Sequence, residues 1–282
     1  CPKGYYIAIV STIAETDATH HLNVFDTRKG TLLHSFNNHG GGVWALKRVG
    51  TDMLVTGSID HTVRVWSLSK NRCTHVFRGH TATVRCLDVV DPDPANGRNY
   101  PVILSGSRDA TVRMFRLPGP DDPDYDSVSA LNDYENPYFL AELRGHTDSV
   151  RALCGAGNVA VTGSYDHRVR VWDIARRRCR HELLGHEKNV YAVNLDTERN
   201  RCISASMDFN IKIWDLESGS ELYNLSGHTG LVGLLELRDN TLVSGGADYT
   251  LRVWDPETGQ HRHTLTGHDS PILCLDHDGH NI

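Results

Sequence analysis

The residues of this chain best suited to chemistry are a histidine, a hydroxyl and an aspartate that recur together at regular spacing. His39, Thr56 and Asp60 form one set, and His80, Ser105 and Asp109 a second. His146–Thr162–Asp166, His186–Ser204–Asp208 and His228–Ser244–Asp248 complete the series. A hydroxyl beside an imidazole held by a carboxylate is the arrangement that activates a nucleophile. His39 to Gly42 also reads HGGG, the backbone-donor loop that accompanies such a nucleophile in lipases. Two observations weigh against hydrolysis. The sequence has no GxSxG elbow, and a catalytic set is needed once, whereas this one recurs in every repeat. Of the seventeen histidines, five occupy the repeat position, which removes much of the case for a metal. The seven cysteines are scattered and form no CxxC pair, so they read as reduced thiols inside a cell rather than a zinc site or a disulfide framework. No cofactor and no catalysis are expected.

The elements that carry these sets repeat. FNNHGGGVWALK, FRGHTATVRCLD, LRGHTDSVRALC, LLGHEKNVYAVN and LSGHTGLVGLLE each place a histidine shortly before a β-rich run, and LTGHDSPILCLD begins a sixth copy. Each full copy continues through a short apolar strand and an Asp-containing turn to a strand ending at Trp66, Phe115, Trp172, Trp214 or Trp254. Those ends lie 49, 57, 42 and 40 residues apart, which gives a period of about 40 with two insertions. Four short strands per period with GH and WD signatures describe the blade of an all-β propeller. Within a blade, His, Ser or Thr, Asp and Trp satisfy one another's buried polar groups. The copy ending in Phe115 lacks the indole donor.

Comparing blade with blade separates residues that serve the fold from residues free to serve a ligand. Two places before each terminal aromatic stands a basic residue: Arg64, Arg113, Arg170, Lys212 and Arg252. Present in every copy, it reads as an aliphatic stem covering a sheet face with its charge held in water. The position just inside the strand after the GH turn is different, reading Trp44, Arg85, Arg151, Tyr191 and Gly233. The position before the turn Asp also varies: Ile59, Arg108, Tyr165, Met207 and Ala247. Both lie near one rim of a propeller's central channel. Three arginines there repel one another and are best understood around an anion such as phosphate, which a guanidinium fork meets in paired hydrogen bonds. The neighbouring aromatics suit apolar or proline side chains flanking the phosphate.

HTATVRCLD, SGSRDATVR, RGHTDSVRALC, TGSYDHRVRVWD and RCISASMD resemble the F-box/WD-repeat substrate receptors of SCF-type ubiquitin ligases. NDYENPYF and HTGLVGLLEL sharpen the likeness to fungal cell-division-control members. The resemblance covers almost the whole chain. It implies a WD-repeat β-propeller that captures phosphothreonine–proline degrons of phosphorylated protein substrates, in the nucleus and cytoplasm. It implies phosphate contacts by Arg85, Arg108 and Arg151, with Tyr165, Tyr191, Trp44 and Thr83 on other degron-contacting positions. Some members carry a further basic residue where this chain has Asn189, beside Lys188. The family's propeller has eight blades, of which residues 1–282 would cover about six, counting a degenerate first copy, and the start of another. The F-box that docks the adaptor and cullin is expected outside the chain, which opens on Cys1 and reads as a fragment without a signal peptide. The alternative is a general WD-repeat scaffold for unmodified partners.

Composition fits this reading. Net charge is −6, and the stretch 118–139 holds Asp121, Asp122, Asp124, Asp126, Asp133 and Glu135 without a Lys or Arg. The remainder is neutral, so there is no basic excess for nucleic acid. No apolar run approaches the roughly 18 residues that cross a bilayer. The acidic stretch and DPDPANGRNYP (Asp91 to Pro101) read as solvated, mobile loops.

Overall fold

The computed structural model describes residues 6–10, 21–126, 135–238 and 240–275; Cys1, Asp133 and parts of the first and last repeat copies lie outside them. The described residues form antiparallel sheets that follow one another along the chain. Sheet one has β1 (Tyr6–Val10), β2 (Leu22–Asp26) and β3 (Thr31–Phe36). Sheet two has β4 (Val43–Val49), β5 (Met53–Ser58), β6 (Val63–Ser67) and β7 (Arg72–Phe77). Sheet three has β8 (Val84–Val90), β9 (Val102–Ser107), β10 (Val112–Arg116) and, after the acidic insertion with its short β11 (Tyr125–Asp126), β12 (Phe139–Leu143). Sheet four runs from β13 (Val150–Ala156) through β14 (Val159–Ser164) and β15 (Val169–Asp173) to β16 (Arg178–Leu183). Sheet five has β17 (Val190–Asp196), β18 (Arg201–Ser206), β19 (Ile211–Asp215) and β20 (Glu221–Leu225). Sheet six has β21 (Val232–Arg238), β22 (Thr241–Gly246), β23 (Leu251–Trp254) and β24 (His261–Leu265). Apolar residues of consecutive sheets meet in shared cores, such as Val161, Val169 and Val190 with Trp214 between sheets four and five. These are the stacked blades of a propeller.

The recurring polar set locks each blade. In sheet five the Trp214 indole donates to Ser204 Oγ at 2.8 Å, and Ser204 Oγ lies 2.8 Å from His186 Nε2. His186 Nδ1 in turn lies 2.8 Å from Asp208. Burial raises the Asp208 carboxyl, but His186 and the backbone N–H groups of Asn210 and Glu187 outweigh it and bring the pKa down to about 2. Hydroxyl, imidazole and carboxylate thus stand as they do in a hydrolase. Ser204, however, is 0% exposed and already holds the indole N–H, so no substrate carbonyl reaches it. In sheet three Phe115 leaves Ser105 without that donor, and Ser105 Oγ points to the Arg113 carbonyl at 3.5 Å.

The structure corrects two expectations. Four of the five recurrent basic residues pair with a carboxylate rather than holding their charge in water, Arg252 being the exception among the described residues. Arg113 and Lys212 are only 6% and 7% exposed, and Arg113 pairs with Glu142 at 2.5 Å, Arg170 with Glu182 at 2.9 Å and Lys212 with Glu221 at 2.8 Å. A buried charge demands such a partner. The glycine of the GH turn makes room: Gly145 sits at φ +153°, and a Cβ there would lie 2.9 Å from the Arg170 guanidinium. The described parts of both insertions are also packed rather than free. Residues Tyr125 and Asp126 add a parallel strand to the edge of β7. Asp124 pairs with Arg72, Asp126 with Arg78 and Asp122 with Arg116. In the other insertion a 3-10 turn (Pro94–Asn96) leads to the buried Arg98.

Candidate functional site

The two variable positions are built by two local devices. In each inner strand the pairing with the next strand steps over the second residue: from Val43 to Ala45, Val84 to Cys86, Val150 to Ala152, Val190 to Ala192 and Val232 to Leu234. The residues skipped are Trp44, Arg85, Arg151, Tyr191 and Gly233. Each is the extra residue of a β-bulge, a feature that frees a side chain from the ladder and re-aims it. The second device is a backbone clasp. The N–H of the residue before the turn Asp donates to the carbonyl two places ahead of the bulge. Arg108 donates to Thr83 at 2.9 Å, Tyr165 to Ser149 at 3.0 Å and Met207 to Asn189 at 2.9 Å. Sheets two to five thereby each present two side chains, one from the bulge and one from the clasp, on the same rim.

Around that rim the expected residues meet. Arg85 lies over the Trp44 ring, 4.2 Å from its centroid, and Arg151 over Tyr191 at 5.7 Å. Tyr165 and Tyr191 pack at 5.4 Å. Burial lowers the Arg85 pKa, the charges of Arg151 and Arg108 lower it further, and Tyr165 opposes them. Burial likewise raises the Tyr191 phenol, as does its contact with Tyr165. Thr83 is buried beneath Arg108 through the clasp, while Trp44 stands 51% exposed. Six of the seven sequence-predicted residues thus lie beside one another on sheets two to five, while Thr83 lies buried under them and reaches the rim only through its backbone carbonyl.

Among the described residues none of the three arginines forms an ion pair, unlike Arg113, Arg170 and Lys212. The Nε of Arg151 is buried with no hydrogen-bond partner. Like charges held together without a carboxylate, stacked on aromatic faces, form a site for an anion of more than one charge. The clasp also places exposed Ile59 and Met207 in the blades on either side of the arginines, and in sheet five's loops Lys188 lies over the Phe209 ring at 5.3 Å. Ile59 and Met207 occupy the clasp position in their own repeats, which is the sequence signal for them.

Five segments match the family described as WD domain, G-beta repeat: residues 30–67, 71–116, 137–173, 177–215 and 219–255. The chain is 45% identical over 248 residues to Cell division control protein 4 of Saccharomyces cerevisiae, covering 78% of this chain and 31% of that protein. It is 45% identical over 269 residues to Cell division control protein 4 of Candida albicans, covering 92% and 39%. WD repeat-containing protein pop2 of Schizosaccharomyces pombe is 41% identical over 200 residues, covering 67% and 28%. The chain thus spans less than two fifths of the length of these relatives. Among solved structures, the computationally designed Ika8 protein superposes with a TM-score of 0.76 at 26% identity, over 95% of this chain and 78% of the designed one.

Proposed function

The chain belongs to the WD40-repeat family, and from that premise we propose that its propeller reads phosphorylated peptides as the substrate-recognition part of an SCF-type ubiquitin ligase acting in cell-cycle control. The observation that carries the reading is the convergence of Arg85, Arg108 and Arg151 at one channel mouth, with no ion-pair partner among the described residues. A phosphate of charge about −1.5 to −2 matches two or three guanidinium groups. Trp44, Tyr165 and Tyr191 offer flat apolar faces beside it, suited to the proline of a phosphothreonine–proline degron. Similarity to two proteins named for cell division control supports the cellular role. The receptor holds its target for a ubiquitin-transferring partner and performs no bond chemistry itself. An F-box elsewhere in the full protein supplies the adaptor and cullin contact, and the complex works in nucleus and cytoplasm.

Fluorescence polarisation with a labelled phosphothreonine–proline peptide and its unphosphorylated twin tests this. Binding that needs the phosphate and is lost in Arg108→Ala but kept in Arg170→Ala is the expected result. Equal binding of the two peptides would instead favour a scaffold for unmodified partners.

A further inference from the structure

Sheet six departs from the rule that each blade neutralises its own recurrent cation. Elsewhere that cation finds a carboxylate in one of three ways. Arg113 and Arg170 pair with Glu142 and Glu182, the residues opposite them on the outer strand. Lys212 pairs with Glu221, the residue opposite Trp214. Arg64 takes the turn aspartate, Asp60, at 3.6 Å. In sheet six the residue opposite Arg252 is Thr264, and the one opposite Trp254 is His261. Among the described residues the turn aspartate Asp248 pairs with His228 alone, and Arg252 has neither an ion pair nor an acceptor for its Nε. All three sources of a carboxylate fail together.

The cation nevertheless sits where the paired ones sit. A Cβ at Gly227 would lie 2.5 Å from the Arg252 guanidinium, as one at Gly145 would lie 2.9 Å from that of Arg170. The approach to it lies at the surface, because the carboxylates used elsewhere, on Glu182 and Glu221, have side chains 42% and 35% exposed. Thr264 and His261 are themselves exposed, and their side chains lie 2.9 Å apart. A partly buried guanidinium without a counter-ion attracts one from outside.

The strand that carries Thr264 can receive the carrier of such a group. β24, HRHTL, ends its sheet, is exposed along its whole length and contains no acidic residue. On sheet two the corresponding edge is covered by the chain itself. Tyr125 and Asp126 lie along β7, with Asp124 paired to Arg72 and Asp126 to Arg78. An uncovered edge accepts a further strand through main-chain hydrogen bonds. A side chain facing Thr264 from such a strand starts about 5 Å away, and a glutamate there passes over the short hydroxyl.

We propose that β24 binds an extended acidic segment of a partner polypeptide, whose glutamate stands beside Thr264 and neutralises Arg252 as Glu182 neutralises Arg170.

The probe is acetyl-Thr-Val-Glu-Val-Thr-amide, compared with its glutamine twin on the whole chain, with the Arg252 Nε–Hε resonance as the readout. The glutamate peptide should shift that resonance and bind about tenfold or more tighter than the glutamine peptide, and Arg252→Gln should erase the preference. Excess phosphothreonine–proline peptide should not displace it, which separates this edge from the channel mouth. Thr264→Glu supplies the carboxylate from the strand itself, so it should raise the Tm by about 2 °C and abolish the preference for glutamate. That variant removes no packing, so the proposal stays testable even if Arg252→Gln does not fold. An unmoved Arg252 resonance, equal binding of the two peptides, displacement by the phosphopeptide, or an undiminished preference in Thr264→Glu would overturn the proposal. Acetate acting at the same concentration as the glutamate peptide would overturn it too, since the strand would then contribute nothing.

Discussion

Arg108 and Arg113 lie five residues apart in one hairpin, yet their surroundings are opposite. Arg113 is buried, pairs with Glu142 and packs its guanidinium 5.5 Å from the Phe139 ring. Arg108 is exposed, makes no ion pair among the described residues and joins Arg85 and Arg151 at the channel mouth. One charge has its counterion built into the blade; the other is held ready for a counterion from outside. In a repeat protein the side chains that recur are those the blade must neutralise itself, and the exceptions are free to meet a ligand.

The contrast can be broken outright by exchanging the two sites' phenotypes. Arg113→Ala leaves the half-buried Glu142 with only the exposed Arg144, at 2.5 Å, as its cation, which costs about 1–3 kcal/mol of stability. Urea denaturation should show that loss, while the phosphopeptide Kd of the folded fraction stays within about twofold. Arg108→Ala should do the reverse, costing about 2–5 kcal/mol of binding with the urea midpoint unmoved. If both variants lose binding and stability in equal proportion, the division between the two arginines is wrong.

A smaller effect sharpens the comparison within the structural class. Sheet three already lives without an indole, because Phe115 fills the place that Trp172 fills in sheet four. In sheet four Thr162 Oγ takes both the Trp172 N–H at 2.8 Å and His146 at 2.8 Å. Trp172→Phe removes that donor in a blade built around it and should cost about 1–3 kcal/mol. The reverse change, Phe115→Trp, must fit a larger ring against Phe77, stacked at 4.8 Å, and gains nothing unless Ser105 turns toward it. Calorimetry of the two variants should therefore move Tm downward in the first and not upward in the second.

Acid exposes the same locks. Burial lowers the pKa of His228 from its usual value despite the pull of Asp248, and burial also lowers that of His75 beneath the acidic insertion. A histidine whose folded pKa is depressed binds its proton more readily in the unfolded chain. Its contribution is complete above about pH 6.5 and is lost as the pH falls below it. Tm should decline between pH 6.5 and 5. The lock aspartates add a second decline further down, since Asp166 and Asp208 titrate near 2 when folded and near 3.8 when unfolded. A Tm that stays flat from pH 7 to pH 5 would mean that the two buried imidazoles do not resist protonation.

Much of this was legible before any coordinates. The period, the polar lock and the odd status of Arg85, Arg108 and Arg151 follow from comparing repeats, because each repeat faces the same burial problem. The partner of Arg113 was not legible, since Glu142 lies 29 residues on and beyond an insertion. Nor were the bulges, because skipping Trp44 or Arg151 in the pairing leaves no mark on the alternation of apolar residues. The insertions were misread for a related reason. Aspartate-rich composition signals solvation, but Arg72, Arg78 and Arg116 sit where they can neutralise it.

Those edge pairs supply the finest discrimination. Arg72 pairs with Asp124 as Arg113 pairs with Glu142, but the Arg72 side chain is 56% exposed and that of Arg113 only 8%. Water screens the first pair on both sides, so Arg72→Ala should cost no more than about 1 kcal/mol, and less in high salt. Removing Arg113 should depend less on salt, because the Glu142 side chain is only 14% exposed and ions screen it less. Denaturation of both variants at low and high sodium chloride therefore separates pairing from burial. If Arg72→Ala proved as costly as Arg113→Ala, pairing alone would define the structural arginine, and the exposed pairs at the edge of β7 would rank with the buried ones between strands.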